Sequence, residues 1–388
     1  MRADRNWVER NLGFDPIGTP PPAAAFARAE AVSPSKPEDF QREIIDFDSE
    51  AAEGREFLAF STATGLSRFT DIPWPRNLAP QTSARLARKS NSALPRADAL
   101  VVTWTVDEGH ALSRVLTPGK DSHNDYLSYT HNYATISKKM RNGCPAKEAK
   151  RLGAYWTTKI GGKSVVVFKS DSHMSQDGPQ MPNIDVWRQI VEEVKPKLVI
   201  TTGTAGGIGT KVEVGDVLVS SIVTFDCKQK FKNFKADGES IAHEVFSSAA
   251  ANTKFFARAR DLFKANAGQL PKDNSRPPKI IRAGARSLKT GVLTTDFFGF
   301  DTSSNYYDLK DLGTVSEMGD AVLGLVAHEM GDKAPPWLAI RNVSDPQIAS
   351  GTLSIRDQAK LAANIYKGFG RWSSVCSAIV CWASVAAL

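Results

Sequence analysis

The chain has 388 residues, of which 41% are hydrophobic and 23% charged, and its formal net charge is +7. That length accommodates one large domain or two ordinary ones, each with a substantial core. The basic residues are scattered along the sequence, so the charge favours anionic small molecules as ligands and argues against nucleic acid as a partner. The four cysteines form no C-x-x-C pair, which indicates neither a disulfide framework nor a zinc site.

The two ends of the chain carry no clear targeting signal. The N-terminus, MRADRNWVERNLGF, is charged and lacks the apolar region of a signal peptide. Residues 375–388 are apolar, but they are interrupted by serines and are fewer than the roughly 18–20 residues of a membrane-spanning helix. We therefore expect a cytoplasmic protein without a membrane anchor, in which this last stretch is a buried or interface helix.

Residues 1–97 differ in composition from the rest because prolines recur throughout them. Such a density of proline prevents long regular elements, although residues 37–57 could hold helical turns and residues 57–66 a short strand. We interpret this part as an N-terminal extension that wraps the main domain or a partner subunit, and a disordered tail is the alternative. No catalytic pattern stands out in it.

From residue 97 onward, the pattern alternates between strands and helices. Residues 97–105 form an apolar run that predicts a buried strand, and Asp107 and Glu108 follow it at the start of a helical pattern. These two acids could simply be helix N-terminal charges. A second strand at residues 164–168 is followed by a loop containing Lys169 and His173, and residues 184–194 have a helical period. Residues 244–266 also read as a helix, so the class is α/β.

The stretch from residue 199 to residue 220 reads as a strand, a glycine-rich elbow and a second strand. Glycines let main-chain N–H groups approach a ligand closely because no Cβ stands in the way. The elbow is therefore a candidate ligand cradle. Its proposed contacts are Gly203, Thr204, Ala205 and Gly206.

Three sequence motifs in the second half of the chain place further candidate site residues at strand ends, namely residues 289–298, 315–322 and 337–345. The first ends in two aromatic residues, the second holds two acids around a methionine, and the third ends in a serine and an aspartate. Together they supply Phe298, Glu317, Met318, Asp320, Arg341, Ser344 and Asp345.

In order and spacing, these motifs resemble the nucleoside phosphorylase and nucleosidase superfamily. Residues 202–207 match its N/R-x-G-(S/T)-x-G-G turn, residues 214–217 its V-G-D-(V/I) strand, and residues 341–345 its R-x-(I/V)-S-D strand end. In motif the chain is most similar to methylthioadenosine/S-adenosylhomocysteine nucleosidases and AMP nucleosidase-type hydrolases. The resemblance covers about residues 97–369.

The resemblance implies a fold and an assembly. It predicts a three-layer αβα domain with a mixed, partly barrel-like central sheet over residues 98–371, between the extension 1–97 and an apolar C-terminal helix or tail, 372–388. It also implies a homo-oligomer that needs no cofactor. Some relatives are nucleotide-depleting effectors in bacterial defence, and by analogy an extended N-terminus would suit such a role.

The resemblance also assigns roles. Asp345 would protonate the departing purine, Glu108 would hold the attacking water, and Phe298 would stack on the base. The loop that holds Lys169 and His173 matches a ligand-facing loop of the family, which makes these two residues candidate phosphate or sugar contacts. The sequence departs from the family at Gly319, which stands where a glutamate grips the ribose hydroxyls. Glu317 or Asp320 could take over that grip, the sugar could differ, or the pocket could be catalytically impaired.

The phosphorylases carry one arginine in the first turn and another just before the glycine turn, and both are missing here. Because a phosphate dianion entering a pocket needs such cations, we favour a nucleosidase that releases free base from a purine nucleoside or nucleotide. The alternatives are a phosphorylase using other cations, and a protein that binds nucleosides or nucleotides without turnover.

Overall fold

The computed structural model describes residues 72, 74–84, 88–226, 276, 278–283, 290–295, 309–345, 347 and 355–388. Several predictions lie outside these residues, namely the turns and strand before residue 71, the helix at 244–266, and Phe298. The described part contains strands β1 (Gln81–Thr82), β2 (Ala99–Thr103), β3 (Leu127–Tyr129), β4 (Gly153–Ile160), β5 (Lys163–Ser170), β6 (Leu198–Gly207), β7 (Val217–Ser220), β8 (Val223–Phe225), β9 (Ile280–Ala283), β10 (Val292–Thr294), β11 (Val315–Glu317) and β12 (Trp337–Asp345). Its α-helices are α1 (Val106–Leu116), α2 (Tyr133–Ile136), α3 (Pro145–Glu148), α4 (Met174–Asp177), α5 (Asn183–Val194), α6 (Asp320–Met330) and α7 (Ile355–Ala386).

The strands form one mixed sheet of 12 strands that branches at β6. β6 pairs in parallel with β2 and with β12, while its last two residues pair antiparallel with β11. From β12 the pairing continues to β7, and β8 follows β7 after two residues. β8 then pairs with β10, and β10 with β11, which returns the path to β6. This ring confirms the partly barrel-like mixed sheet.

Helices cover both faces of the sheet because side chains alternate along each strand. In β2, Val101 joins a core beneath α1 and α7, whereas Val102 joins a second core beneath α5 and α6. Ile200 and Val199 of β6 divide between the same two cores. The three-layer αβα prediction is therefore confirmed.

The glycine elbow was predicted wrongly in its detail. β6 continues through Gly203 and Gly206 to Gly207, and the chain turns only afterwards, at positions with positive φ, Gly209 and Gly215. The strand persists because its glycine end still has partners: Gly203 pairs with Arg341 of β12. A run of glycines therefore marks close approach here rather than a turn.

The last helix is longer than the sequence pattern suggested. α7 spans 32 residues without a break, and the apolar stretch beyond residue 375 is its buried second half. The indole N–H of Trp382 donates to the carbonyl oxygen of Leu78 at 2.7 Å, and the Trp382 ring lies 4.5 Å from that of Trp74. Among the described helices, none is both long and apolar enough to cross a membrane.

Candidate active site

The candidate residues converge where β2, β6, β11 and β12 end. β6 lies between β2 and β12 in parallel, so the carboxyl ends of these three strands share one edge of the sheet. In open α/β sheets ligands bind at this edge. The residues that follow β2 and β11 contact the same edge: Glu108 bonds Thr204 of β6, and Asp320 bonds Arg341 of β12.

Glu108 is the most heavily bonded carboxylate at this edge. It is the third residue of α1 and forms a capping box with Thr105: the Glu108 amide lies 3.3 Å from Thr105 Oγ1, and Glu108 Oε2 accepts from the Thr105 amide at 3.0 Å. Oε2 also accepts from Thr103 Oγ1 and the Trp104 amide, at 2.9 and 3.2 Å. Oε1 accepts from the amide and hydroxyl of Thr204, at 2.7 and 2.8 Å.

These bonds decide the charge of Glu108. Burial alone would raise its pKa, but the nearby Arg341 guanidinium and the backbone amides outweigh burial and hold the pKa of Glu108 below its usual value. Glu108 is therefore an ionised group at neutral pH. Its five accepted bonds occupy the lone pairs that a carboxylate offers, and the nearest exchangeable donor is the hydroxyl of the half-buried Thr204.

Gly203 makes the contact between β6 and α1 possible. A Cβ at this position would lie 2.3 Å from Glu108 Oε1 and 2.7 Å from Arg341 Nη1, both far inside van der Waals contact. Only glycine lets the strand pass between these two side chains. The glycine pattern thus brings Glu108 and the Thr204 amide together.

Arg341 is a buried cation surrounded by acids. Its Nε and Nη2 donate to the two oxygens of Asp320 at 2.8 and 2.5 Å, and Nη2 lies 3.3 Å from Glu317 Oε2. The guanidinium carbon also lies 4.5 Å from the Trp104 ring centre, within cation–π range. Burial lowers the pKa of Arg341, but the surrounding carboxylates raise it further, so this side chain stays charged. Both carboxylate oxygens of Asp320 therefore accept hydrogen bonds from Arg341.

Glu317, at the end of β11, contacts both Asp320 and Arg341. Burial and the neighbouring Asp320 raise the pKa of Glu317, although Arg341 and Thr294 act the other way. Its Oε1 accepts from the Thr294 hydroxyl, and both oxygens lie 3.0 Å from the Asp320 amide. Its burial and the proximity of Asp320 therefore disfavour the ionised form of Glu317.

Asp345 closes the other side of the edge. It is 2% exposed, and its Oδ1 accepts from Ser344 Oγ at 2.8 Å. Within the described part of the chain, Oδ2 has no hydrogen-bond partner. Burial raises the pKa of Asp345 to about 7, and the Ser344 bond opposes this shift. Ser344 Oγ also lies 3.3 Å from the carbonyl oxygen of Ala205, which ties Asp345 to β6.

The loop after β5 brings His173 to the same cluster. Its ring lies edge-on to Trp104 at 6.2 Å, and its amide donates to Asp177 at 3.0 Å. Burial, with Arg341 and Lys169, lowers the pKa of His173 to about 4 against the opposing charge of Glu108, so the imidazole is neutral at pH 7. Lys169 pairs with the buried Asp171, which Arg151 also contacts at 2.6 Å.

The structure thus gathers most of the predicted site residues, and it places Met318, half-buried, beside Glu317. Ala205 and Gly206 lie on β6 opposite Val343 and Asp345. Two residues at the centre were missed by sequence reasoning, namely Trp104 and Thr294. Trp104 directly precedes the helix N-cap Thr105 at the end of a strand, and this position was a signal that the sequence offered. For Thr294 the sequence offered no such signal.

A model of the phosphorylase superfamily matches residues 129–369 of the chain. The 5′-methylthioadenosine/S-adenosylhomocysteine nucleosidase of Shewanella sp. (strain W3-18-1) is 26% identical over 159 residues, which are 40% of this chain and 59% of that protein. The enzyme of the same name from Shewanella baltica (strain OS195) is also 26% identical, over 40% of this chain and 58% of its own length. The match therefore spans less than two thirds of these curated relatives.

Among solved structures, the chain is similar to the 5′-methylthioadenosine/S-adenosylhomocysteine nucleosidase from Neisseria meningitidis in complex with methylthio-immucillin-A. That similarity has 16% identity and a TM-score of 0.44, and it covers 75% of this chain and 100% of the other. A futalosine hydrolase mutant of Helicobacter pylori strain 26695 is 13% identical with a TM-score of 0.45, at the same two coverages.

Proposed function

Because the chain belongs to the phosphorylase superfamily, we propose that it is a nucleosidase that hydrolyses the N-glycosidic bond of a purine nucleoside or nucleotide. The observation that carries the proposal is the protonation contrast between Asp345 and Glu108. Asp345 is a buried carboxyl group with a pKa of about 7, and its Oδ2 has no hydrogen-bond partner among the described residues, so it is suited to donate a proton. The ionised carboxylate of Glu108 lies at the same edge of the sheet.

Asp345 acts as the general acid in this proposal. Cleavage of an N-glycosidic bond passes through an oxocarbenium-like state in which the departing purine gains negative charge. The proton on Asp345 moves to the purine as the bond between the base and the sugar carbon breaks, and Asp345 is left as a carboxylate. Ser344, which donates to Oδ1, stabilises that carboxylate.

Glu108 acts on the water through Thr204. The Thr204 hydroxyl donates to Glu108 Oε1 and can accept from a water on its exposed side. As the water oxygen bonds to the sugar carbon, its proton passes to Thr204 Oγ1, and the Thr204 proton passes to Glu108. A carboxylate with a lowered pKa is a weak base, but a weak base suffices because an oxocarbenium centre is strongly electrophilic.

The charges at the site argue against phosphate as the nucleophile. In the described part of the chain, the cations at this edge already have acidic partners: Arg341 binds Asp320, and Lys169 and Arg151 bind Asp171. An incoming dianion would have to displace a buried carboxylate from one of them. A neutral water molecule can enter without displacing a carboxylate from these cations.

The experiment is a chromatographic assay for free base. The purified protein is incubated with adenosine, inosine, 5′-methylthioadenosine, S-adenosylhomocysteine, AMP and ATP, with and without inorganic phosphate. Base release independent of phosphate, and lost in Asp345→Asn, supports the nucleosidase. Release that requires phosphate would indicate a phosphorylase, and binding without any release would indicate a nucleoside-binding protein.

A further inference from the structure

The space beside Gly319 is closed by an indole ring and a carboxyl group. A Cβ at Gly319 would lie 3.2 Å from Cζ2 and 3.5 Å from Cε2 of Trp104, and 3.7 Å from Oε2 of Glu317. The first distance is tighter than ordinary contact, so the indole edge rests almost on the Gly319 backbone. A longer side chain here would have to enter the volume that the Trp104 ring occupies.

Trp104 cannot easily move out of that volume. The Arg341 guanidinium lies against its ring at 4.5 Å, the Trp187 ring lies 5.3 Å away, and His173 meets its edge at 6.2 Å. The side chain is 6% exposed. Three neighbours on different elements therefore fix the indole as a rigid apolar wall.

The polar groups next to this wall have little capacity for further hydrogen bonds. Both oxygens of Asp320 are bound by Arg341. The Asp320 amide lies 3.0 Å from both oxygens of Glu317. Oε1 also accepts from the Thr294 hydroxyl, whereas Oε2 lies 3.3 Å from Arg341 Nη2, which makes Oε2 the freer oxygen. The wall beside Gly319 thus offers one hydrogen-bonding position to a ligand and an aromatic surface next to it.

We propose that this subsite is built for purine 2′-deoxynucleosides and that Trp104 determines the preference. The inference rests on the proposed function and deepens it. A sugar whose ring edge meets Gly319 would place one hydroxyl at Glu317 Oε2 and an adjacent carbon against the indole. A C–H group suits that surface, whereas a second hydroxyl there would be buried without a partner. An apolar pocket rejects an added hydroxyl by about a hundredfold at most, so the expected discrimination is about 10- to 100-fold.

The test compares matched pairs that share a base: adenosine with 2′-deoxyadenosine, inosine with 2′-deoxyinosine, and AMP with dAMP. Within the pair that turns over best, we expect kcat/KM for the deoxy compound to be at least about tenfold higher. A ratio below about threefold, or a preference for the ribose compound, would overturn the proposal.

Two variants locate the preference. Gly319→Glu alone should lose turnover of both sugars because its side chain meets the Trp104 indole. Trp104→Gly combined with Gly319→Glu should restore turnover and reverse the preference toward ribose, since a carboxylate then replaces the aromatic wall. If the double variant keeps the deoxy preference or stays inactive while folded by circular dichroism, Trp104 does not determine it.

Trp156→Gly is the matched control. Trp156 is equally buried but lies in the core beneath α1 and α7, stacked on Tyr126 at 6.4 Å, so its loss should lower stability and leave the deoxy-to-ribo ratio unchanged. If no nucleoside releases base, the proposed function fails, and calorimetric binding of the same pairs tests the subsite by itself. Tighter binding of the deoxy compound supports the inference, whereas equal, weaker or absent binding overturns it.

Discussion

Glu108 at the start of α1 and Asp345 at the end of β12 are both almost fully buried, at 4% and 2% exposure, but their surroundings differ. Glu108 accepts five hydrogen bonds and lies near Arg341, so its pKa falls. Asp345 accepts one bond, from Ser344, and its pKa rises to about 7. Burial is common to both, so the number of donors and the nearby cation decide which group keeps a proton.

The largest effect should come from Asp345→Asn, which keeps the shape of the side chain and removes the transferable proton. We expect kcat for base release to fall by about 10²- to 10⁴-fold, the usual contribution of a general acid. The matched control is Asp177→Asn: Asp177 is also buried, and burial likewise raises its pKa to about 7, but it lies on α4 rather than at a strand end, where it bonds Ser172 and the His173 amide. If both variants lose activity equally, the role of Asp345 is general burial rather than proton donation.

Thr204 should separate the two carboxylates further, because its amide and its hydroxyl both donate to Glu108. Thr204→Val removes the hydroxyl bond at 2.8 Å and keeps the amide bond at 2.7 Å. We expect kcat to fall by about 10- to 100-fold with little change in KM, while Thr204→Ser recovers most of the rate. A rate that falls in the serine variant but not in the valine variant would show that the methyl group, not the hydroxyl, matters.

The pH dependence of kcat/KM should follow Asp345. Asp345 must be protonated to donate, and burial raises its pKa to about 7. We therefore expect kcat/KM to be highest below about pH 6 and to fall about tenfold per pH unit above pH 7. Glu108, with its lowered pKa, is ionised throughout this range and contributes no limb there. A rate that rises between pH 7 and pH 9 would contradict the assignment of Asp345 as the acid.

The sequence was informative where a local pattern determines the structure. The apolar runs predicted β2, β6 and β12, and the family resemblance assigned the residues at their ends to one site. The structure pairs these strands in parallel, so their carboxyl ends lie at one edge of the sheet. Thr105 and Glu108 are spaced as a capping box, and the structure shows that Glu108 caps the start of α1 and also accepts a bond from the Thr204 amide of β6.

Contacts between distant segments were beyond such patterns. Trp104 meets Gly319 across more than 200 positions of sequence, and nothing local to either residue signals the other. The glycines of β6 were interpreted as a turn because glycine is permissive, whereas Gly203 is needed because Glu108 and Arg341 approach within the space of a Cβ. Likewise, Asp320 was a candidate for the sugar, and its two bonds to Arg341 became visible only in the fold.

The smallest predicted effect concerns stability, and it uses Asp177 and Asp98, whose pKa values shift in opposite directions. Burial raises the pKa of Asp177 from 3.8 to about 7. The folded state therefore holds its proton more tightly, and the resulting stability is present below about pH 4 and lost as pH rises to 7. Between pH 5 and pH 8, the free energy of unfolding of the wild type should fall about 2 kcal/mol more than that of Asp177→Asn.

Asp98→Asn is the control for this slope. The Ser164 amide and hydroxyl and the Lys197 ammonium lower the pKa of Asp98 to about 2, so its stabilising contribution is constant above about pH 5 and disappears only on acidification. Urea denaturation at pH 5 and pH 8 should therefore give Asp98→Asn the wild-type slope and Asp177→Asn a shallower one. Parallel slopes for all three proteins would mean that Asp177 ionises in the folded state as easily as in the unfolded chain, because relaxation or water replaces the missing donors around its buried oxygen.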